Sequence, residues 1–167
     1  HFSALEPPAA EIENLKSEGY ISANNALGTY YLELNITNEA LKDKRVRKAL
    51  SLAIDRNYII ENIVKSGKPA GALVPRGVTD IKGDFRENAG EYISVEPKDY
   101  TNNVEEAKRL MAEAGYPNGE NFPTIELNVG AGFYTTVMEA VQDMWKKNLN
   151  VDLRLRTVES KISLPLR

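Results

Sequence analysis

The chain has 167 residues, 42% hydrophobic and 27% charged, with a formal net charge of −3; this length fits one domain, residues 1–167, that buries about 70% of its unfolded surface. The charge argues against a general nucleic-acid binder, which needs a basic field, and no run approaches the ~18 apolar residues of a membrane span. There is no Cys and one His, at the terminus, which removes disulfides, thiolate catalysis and metals held by Cys or His, and leaves an enzyme only carboxylate, Lys or Tyr chemistry.

The opening His1-Phe2-Ser3 has no starting Met and is treated as foreign, the remnant of a tag; no signal peptide is read there. Residues 5–18 read as a short helix, with Pro7 and Pro8 in its first turn, Ile12 and Leu15 on one side and Gly19 as its stop. Residues 21–28 form a polar turn region. Tyr30, Leu32, Leu34 and Ile36 alternate with Tyr31, Glu33 and Asn35, the pattern of a half-buried strand. Asn38 and Asp43 bracket a turn into a long helix.

That helix runs from Asp43 to Arg56. Val46, Ala49, Leu50, Ala53 and Ile54 form one stripe of a 3.6-residue period, and Asp43 is a good N-cap. Lys44, Arg45, Arg47 and Lys48 lie off the stripe, although cations in a first turn oppose the helix dipole. Two readings stand: a solvated basic face, or an Arg45 or Arg47 that holds a carboxylate elsewhere in the fold. Asp55-Arg56-Asn57 bends or breaks the helix, and Ile59, Ile60, Ile63 and Val64 continue an apolar set to Gly67.

Residues 68–100, with Pro69, Gly71, Pro75, Gly77, Gly83, Gly90 and Pro97, make a long irregular stretch, either a surface excursion or a binding rim. Asn103 caps the next helix, with Glu106 placed for a capping box. Val104, Ala107, Leu110, Met111 and Ala114 are its buried face, and Gly115 ends it. Ile125, Leu127 and Val129 alternate as a strand. Helix 135–149 buries Val137, Val141, Met144, Trp145 and Leu149, and Val151, Leu153 and Leu155 form a last strand. The order predicts a mixed α/β (α+β) domain, helices packed on a mixed sheet, with a β-α-β unit over Ile125 to Thr157. The final Ser163-Leu164-Pro165-Leu166-Arg167 reads as a cut through a longer protein.

Gly130-Ala131-Gly132 lies between a strand and a helix, the placement of a dinucleotide fingerprint, with Glu159 beyond the next strand. Thr135 occupies the third glycine position, so the loop more simply lets a backbone approach a ligand or partner. Tyr30 and Tyr31 point to opposite faces, one expected in the core and one outside. Trp145 belongs to the core or to a domain contact. The pairs Glu105-Glu106 and Asp84/Glu87 sit at caps or in loops, and the Ser residues have neither a nucleophile-elbow context nor a His partner.

Several strings resemble the extracytoplasmic oligopeptide- and dipeptide-binding proteins of ABC importers, solute-binding family 5. They are Leu27-Gly28-Thr29-Tyr30-Tyr31-Leu32-Glu33-Leu34-Asn35, Asp43-Lys44-Arg45-Val46-Arg47-Lys48-Ala49-Leu50, Ala53-Ile54-Asp55-Arg56, the helix Glu105 to Tyr116, Met144-Trp145-Lys146-Lys147-Asn148-Leu149, and Val158-Glu159. The resemblance implies one lobe of a type II periplasmic-binding-protein-like fold, a fragment of the second (C-terminal) lobe of a two-lobe clamshell. It implies binding rather than catalysis, with no cofactor and no metal.

The partners it implies are a peptide ligand shared with the other lobe and a membrane permease, with no nucleic acid; the location it implies is extracytoplasmic, periplasmic or as a lipoprotein. By the same resemblance Tyr31, Tyr134, Ser160 and Arg167 line the ligand. Ser160 replaces a Trp, Tyr134 replaces a His of some members, and Ala26 replaces a further lining Tyr. The chain stops before the segment whose acid pairs with the peptide's amino terminus, so it is expected to bind peptides weakly alone. Other readings are the same family binding a nickel complex or an oligosaccharide, a nucleotide-dependent enzyme on the 125–159 unit, and an interaction domain that meets the permease through Lys44 or Lys48.

Overall fold

The computed structural model describes residues 9–21, 26–130 and 132–158. The first element is a 3-10 turn, Ala9–Glu11, that runs into α1, Ile12–Ser17. Gly19 stops it with φ +76°, the left-handed conformation that glycine adopts cheaply. Pro7 and Pro8, expected in its first turn, lie outside the described residues.

Asn38 caps α2, Glu39–Lys42, by accepting from the Ala40 and Leu41 N–H groups. Asp43 caps α3, Lys44–Leu52, by accepting from the Arg45 N–H. Val46, Ala49, Leu50 and Ala53 are buried, as the 3.6-residue stripe requires. The basic residues belong to neither expected reading alone. Arg45 grips its own cap, Asp43, at 2.5 Å and donates to the Glu113 carbonyl at 2.8 Å. Arg47 donates to the Leu41 carbonyl at 2.8 Å and the Lys42 carbonyl at 2.7 Å. Its guanidinium thus satisfies the open carbonyls at the end of α2. The carboxylate that Arg45 holds is local, two residues away, rather than distant.

Asp55 caps the next helix, α4, Arg56–Tyr58, which passes into a π-helical stretch, Ile59–Val64. The stop is Lys65, at φ 58°, not the expected Gly67. Residues 68–96 are mostly irregular, with a hairpin of β1, Thr79–Asp80, and β2, Gly83–Asp84, followed by α5, Phe85–Ala89. Arg86 organises this stretch. Its buried guanidinium donates to the Val74 carbonyl at 3.0 Å and to the Gly90 carbonyl.

A 3-10 turn, Pro97–Asp99, leads into α6, Tyr100–Glu113. The helix therefore starts three residues before the expected cap. Asn103 sits inside it and donates to the Ser94 carbonyl at 2.9 Å; Glu106 pairs with Arg109 at 2.7 Å. Gly115 ends the helix at φ +96°. β3, Ile125–Gly130, α7, Phe133–Leu149, and β4, Leu153–Val158, then form the expected β-α-β unit. The two strands are parallel, in register from Ile125↔Leu153 to Gly130↔Val158. Among the described residues the sheets are two pairs, β1-β2 antiparallel and β3-β4 parallel.

The core lies between α3, α6, α7 and the β3-β4 pair. Trp145 is its pin: the indole is 2% exposed and its N–H donates to the Leu50 carbonyl at 2.9 Å. Among the described residues the expected strand over 30–36 forms no ladder. Leu32 and Leu34 pack half-buried against the core, but the segment belongs to no strand. The alternation sets which side chains face the core, while a strand also needs a neighbour to bond.

Candidate ligand-binding face

β3 ends at Gly130, and the chain turns into α7 through Gly132 at φ 103°, ψ −142°, a backbone region open to glycine and strained for other residues. The Thr135 hydroxyl donates to the Gly130 carbonyl at 3.2 Å, and the Thr135 N–H donates to the Gly132 carbonyl at 2.9 Å. Thr135 thus closes the loop from within. A Cβ at Gly130 or Gly132 would meet no atom within 4 Å, so the conformation, not crowding, explains Gly132.

The second residue of α7 is Tyr134. Its ring lies 5.3 Å from that of Tyr30, tilted by 47°, within the range of a favourable aromatic pair. Tyr30 shares the sequence alternation of Leu32 and Leu34, which pack against the core. The Tyr31 hydroxyl lies 3.5 Å from Glu33 Oε1. One of these two tyrosines was expected in the core, yet Tyr30 is 82% and Tyr31 62% exposed. The two Leu side chains fill the available core face, and Tyr30 finds Tyr134 instead.

Of the four predicted ligand residues, Tyr31 and Tyr134 are both exposed, and Tyr134 packs on Tyr30, the chain neighbour of Tyr31. Ser160 and Arg167 lie outside the described residues. Ala26, where a further lining Tyr was expected in relatives, is exposed. Sequence reasoning missed Tyr30 as the partner of Tyr134. The available signal was its place on the Leu32/Leu34 side, which alternation alone does not connect to a helix a hundred residues on.

The outer face of the β3-β4 pair is polar. Glu126 accepts from Arg154 at 3.3 Å and from Arg156 at 2.9 Å, two cations on one carboxylate.

Elsewhere, a cleft of about 230 Å³ is lined by Asp55, Asn57, Tyr58, Glu61, Asn62, Pro97 and Tyr100. The Tyr100 hydroxyl donates to the Ala53 carbonyl at 3.1 Å and accepts from Asn148 at 2.9 Å. Burial pushes its pKa up, against the Asn148 bond, which keeps the phenol protonated in its bridge between Ala53 and Asn148. Burial likewise lowers the pKa of Arg56, which donates to the Ser51 and Ile54 carbonyls.

The carboxylates that shift do so at caps and in helix pairs. The Arg45 guanidinium holds Asp43 down to about 2. The Gly77 N–H, with those of Glu87 and Arg86, lowers Asp84. Arg109 lowers Glu106. Among the described residues no group of three or more His, Cys, Asp or Glu side chains could hold a metal, and no helix is long and apolar enough to cross a membrane.

The family model of the bacterial extracellular solute-binding proteins, family 5 Middle, matches residues 3–165. The oligopeptide-binding protein OppA of Bacillus subtilis is 32% identical over 158 residues, 91% of this chain and 27% of that protein. The structure of the murein tripeptide binding protein MppA of Escherichia coli superposes with a TM-score of 0.78 at 29% identity, covering 95% of this chain and 30% of the other. Haemophilus influenzae OppA in complex with RPPGFSPFR gives a TM-score of 0.78 at 26% identity, with coverage of 95% and 31%. The chain thus spans under a third of each of these proteins, and it carries the type II periplasmic-binding-protein fold in that part.

Proposed function

This chain belongs to the bacterial extracellular solute-binding proteins of family 5, and from that premise we propose that it is the core of the second lobe of a peptide receptor serving an ABC importer. Its role is to bind, not to catalyse. The observation that carries this reading is the superposition of 95% of the chain on a protein solved with a bound nonapeptide.

The rest of the receptor supplies the other wall, because solute sites between lobes fill on closure and each lobe holds only part of the contacts. The exposed aromatic face suits the task. A peptide receptor of this kind bonds the ligand backbone and leaves its side chains in roomy pockets, and flat rings with hydroxyls serve both needs. Tyr31 and Tyr134 line that wall, with Ser160 and Arg167 assigned to it on the resemblance. The receptor works outside the cytoplasm and delivers its solute to a membrane permease.

Calorimetric titration of the full-length polypeptide with a peptide pool tests the assignment. The expected result is heat with peptides and its loss in Tyr31→Ala or Tyr134→Ala. Silence with every peptide pool, with heat from nickel complexes or oligosaccharides instead, would move the ligand class.

A further inference from the structure

We propose that Asn118-Gly119 is a latent site of spontaneous deamidation, held inert by the corner where the end of α7 packs on the 3-10 turn Pro117–Gly119, and released when that corner opens. It is the one Asn-Gly step in the chain. Asparagine is chemically labile, and a following glycine has no side chain to shield its amide nitrogen. The reaction needs only water and is independent of what the receptor binds.

The Gly119 amide nitrogen gives its proton to a solvent base and attacks Asn118 Cγ. The new N–Cγ bond closes a five-membered imide. The Cγ–Nδ2 bond breaks, and the side-chain nitrogen takes up a proton and leaves as ammonia. Water then opens the imide at either carbonyl. One opening leaves an aspartate; the other leaves an isoaspartate, whose main chain carries one extra carbon. Both add a negative charge.

The native geometry opposes ring closure. The Gly119 N–H already donates to the Tyr116 carbonyl at 3.1 Å. Closing the ring swings the Gly119 peptide group about the Asn118 Cα–C bond, yet Gly119 is buried. It lies so near the end of α7 that an added Cβ would run into the Leu149 carbonyl oxygen and stand 3.0 Å from that of Asn150. Asn118 is held at φ 54°, ψ 22°, a left-handed conformation that Asn tolerates, and its carbonyl accepts from Asn150 Nδ2 at 3.3 Å. Asn150, the C-cap of α7, is left-handed too. Tyr116 and Phe122 meet edge to face, 4.9 Å apart, across the base of the turn. Asn118 itself is exposed, so water reaches it and the lock lies in the backbone. An isoaspartate cannot return to this corner, because its extra main-chain carbon has no more room beside Leu149 than that Cβ.

Peptide mapping by mass spectrometry on the full-length polypeptide, aged in mildly alkaline buffer with and without denaturing guanidinium chloride, reads the conversion of Asn118. It should run at least about 10-fold slower in the folded protein. Equal rates would overturn the proposal. Asn150→Gly keeps a residue suited to the left-handed cap and removes the bond to the Asn118 carbonyl. It should raise the folded-state rate several-fold and leave the unfolded rate alone; an unchanged folded rate would overturn the role of the corner. Asn118→Asp carries the charge without the extra carbon, so its guanidinium midpoint should stay near that of the parent. The isoaspartate fraction of the aged protein should unfold at lower denaturant. Coincident midpoints for all three would overturn the exclusion of isoaspartate from the folded corner.

Discussion

Trp145 and Tyr30 are both large aromatic residues, one 2% and the other 82% exposed, and their surroundings differ as sharply. Around Trp145, each polar group that enters the core is answered by a neighbour. The indole reaches Leu50, Asp43 closes the start of α3, and Arg47 closes the end of α2. Among the described residues no buried side-chain N or O atom lacks a partner. Around Tyr30 the order is reversed: Leu32 and Leu34 pack on the core, while among the described residues the backbone from Thr29 to Leu34 makes no hydrogen bond to other backbone. A helix bonds its backbone within its own residues, whereas a strand depends on another segment. The helical part of the fold therefore satisfies its backbone locally, whereas the extended part depends for its order on the side chains of Leu32 and Leu34 against the core.

The strongest way to break that contrast is to attack the finished side. Trp145→Ala empties the centre of the core and frees the Leu50 carbonyl, so it should cost about 3–5 kcal/mol in urea denaturation. A loss below about 1 kcal/mol would mean that α3 and α7 are not locked together. Gly119→Ala should cost roughly 1–3 kcal/mol. The residue has φ +73°, and an added Cβ would run into the Leu149 carbonyl oxygen, where α7 turns toward β4. Gly130→Ala is the control, since open space surrounds it and its φ is not positive; its thermal midpoint should hardly move.

Asp43 offers a smaller and pH-dependent test. Asp43→Ala removes the α3 cap and should cost ~0.5–2 kcal/mol. The folded pKa of about 2 lies below the ordinary 3.8, so the carboxylate's contribution is fully present above the ordinary value and is lost as pH falls through about 2. Arg45 and Asp43 are partly exposed, so solvent and salt screen this part. Asp43→Asn keeps a capping oxygen but cannot titrate. Its stability curve between pH 4 and pH 2 should be flatter than that of the parent, and a parallel curve would show that the Arg45 pair adds nothing.

The same contrast explains what could be read in the sequence. α3 was legible because a nine-residue helix carries its stripe and its cap in one string. The β-α-β unit was legible because two alternating runs flank a helical one. The start of α6 was misplaced because Asn103 and Glu106 have capping-box spacing, yet Asn103 bonds Ser94 and Glu106 bonds Arg109. Pro97, in the turn just ahead, was the better signal. Lys65 ends the π-helical stretch in a left-handed conformation that glycine usually takes, and Gly67 two residues on drew the stop to itself. The alternation over 30–36 predicted a strand that the described residues do not form, because period shows which side chains face the core and not what the backbone bonds. The Tyr30–Tyr134 contact joins residues a hundred apart, and no local pattern announces it.

The smallest expected change in stability is also the sharpest test of the extended segment. Tyr30→Ala in the 167-residue chain removes a ring that is mostly in water, leaves Leu32 and Leu34 in place, and breaks one exposed aromatic contact. Its unfolding free energy should shift by no more than about 0.5 kcal/mol. A larger loss would mean that the Tyr30–Tyr134 contact contributes more than an exposed aromatic pair usually does.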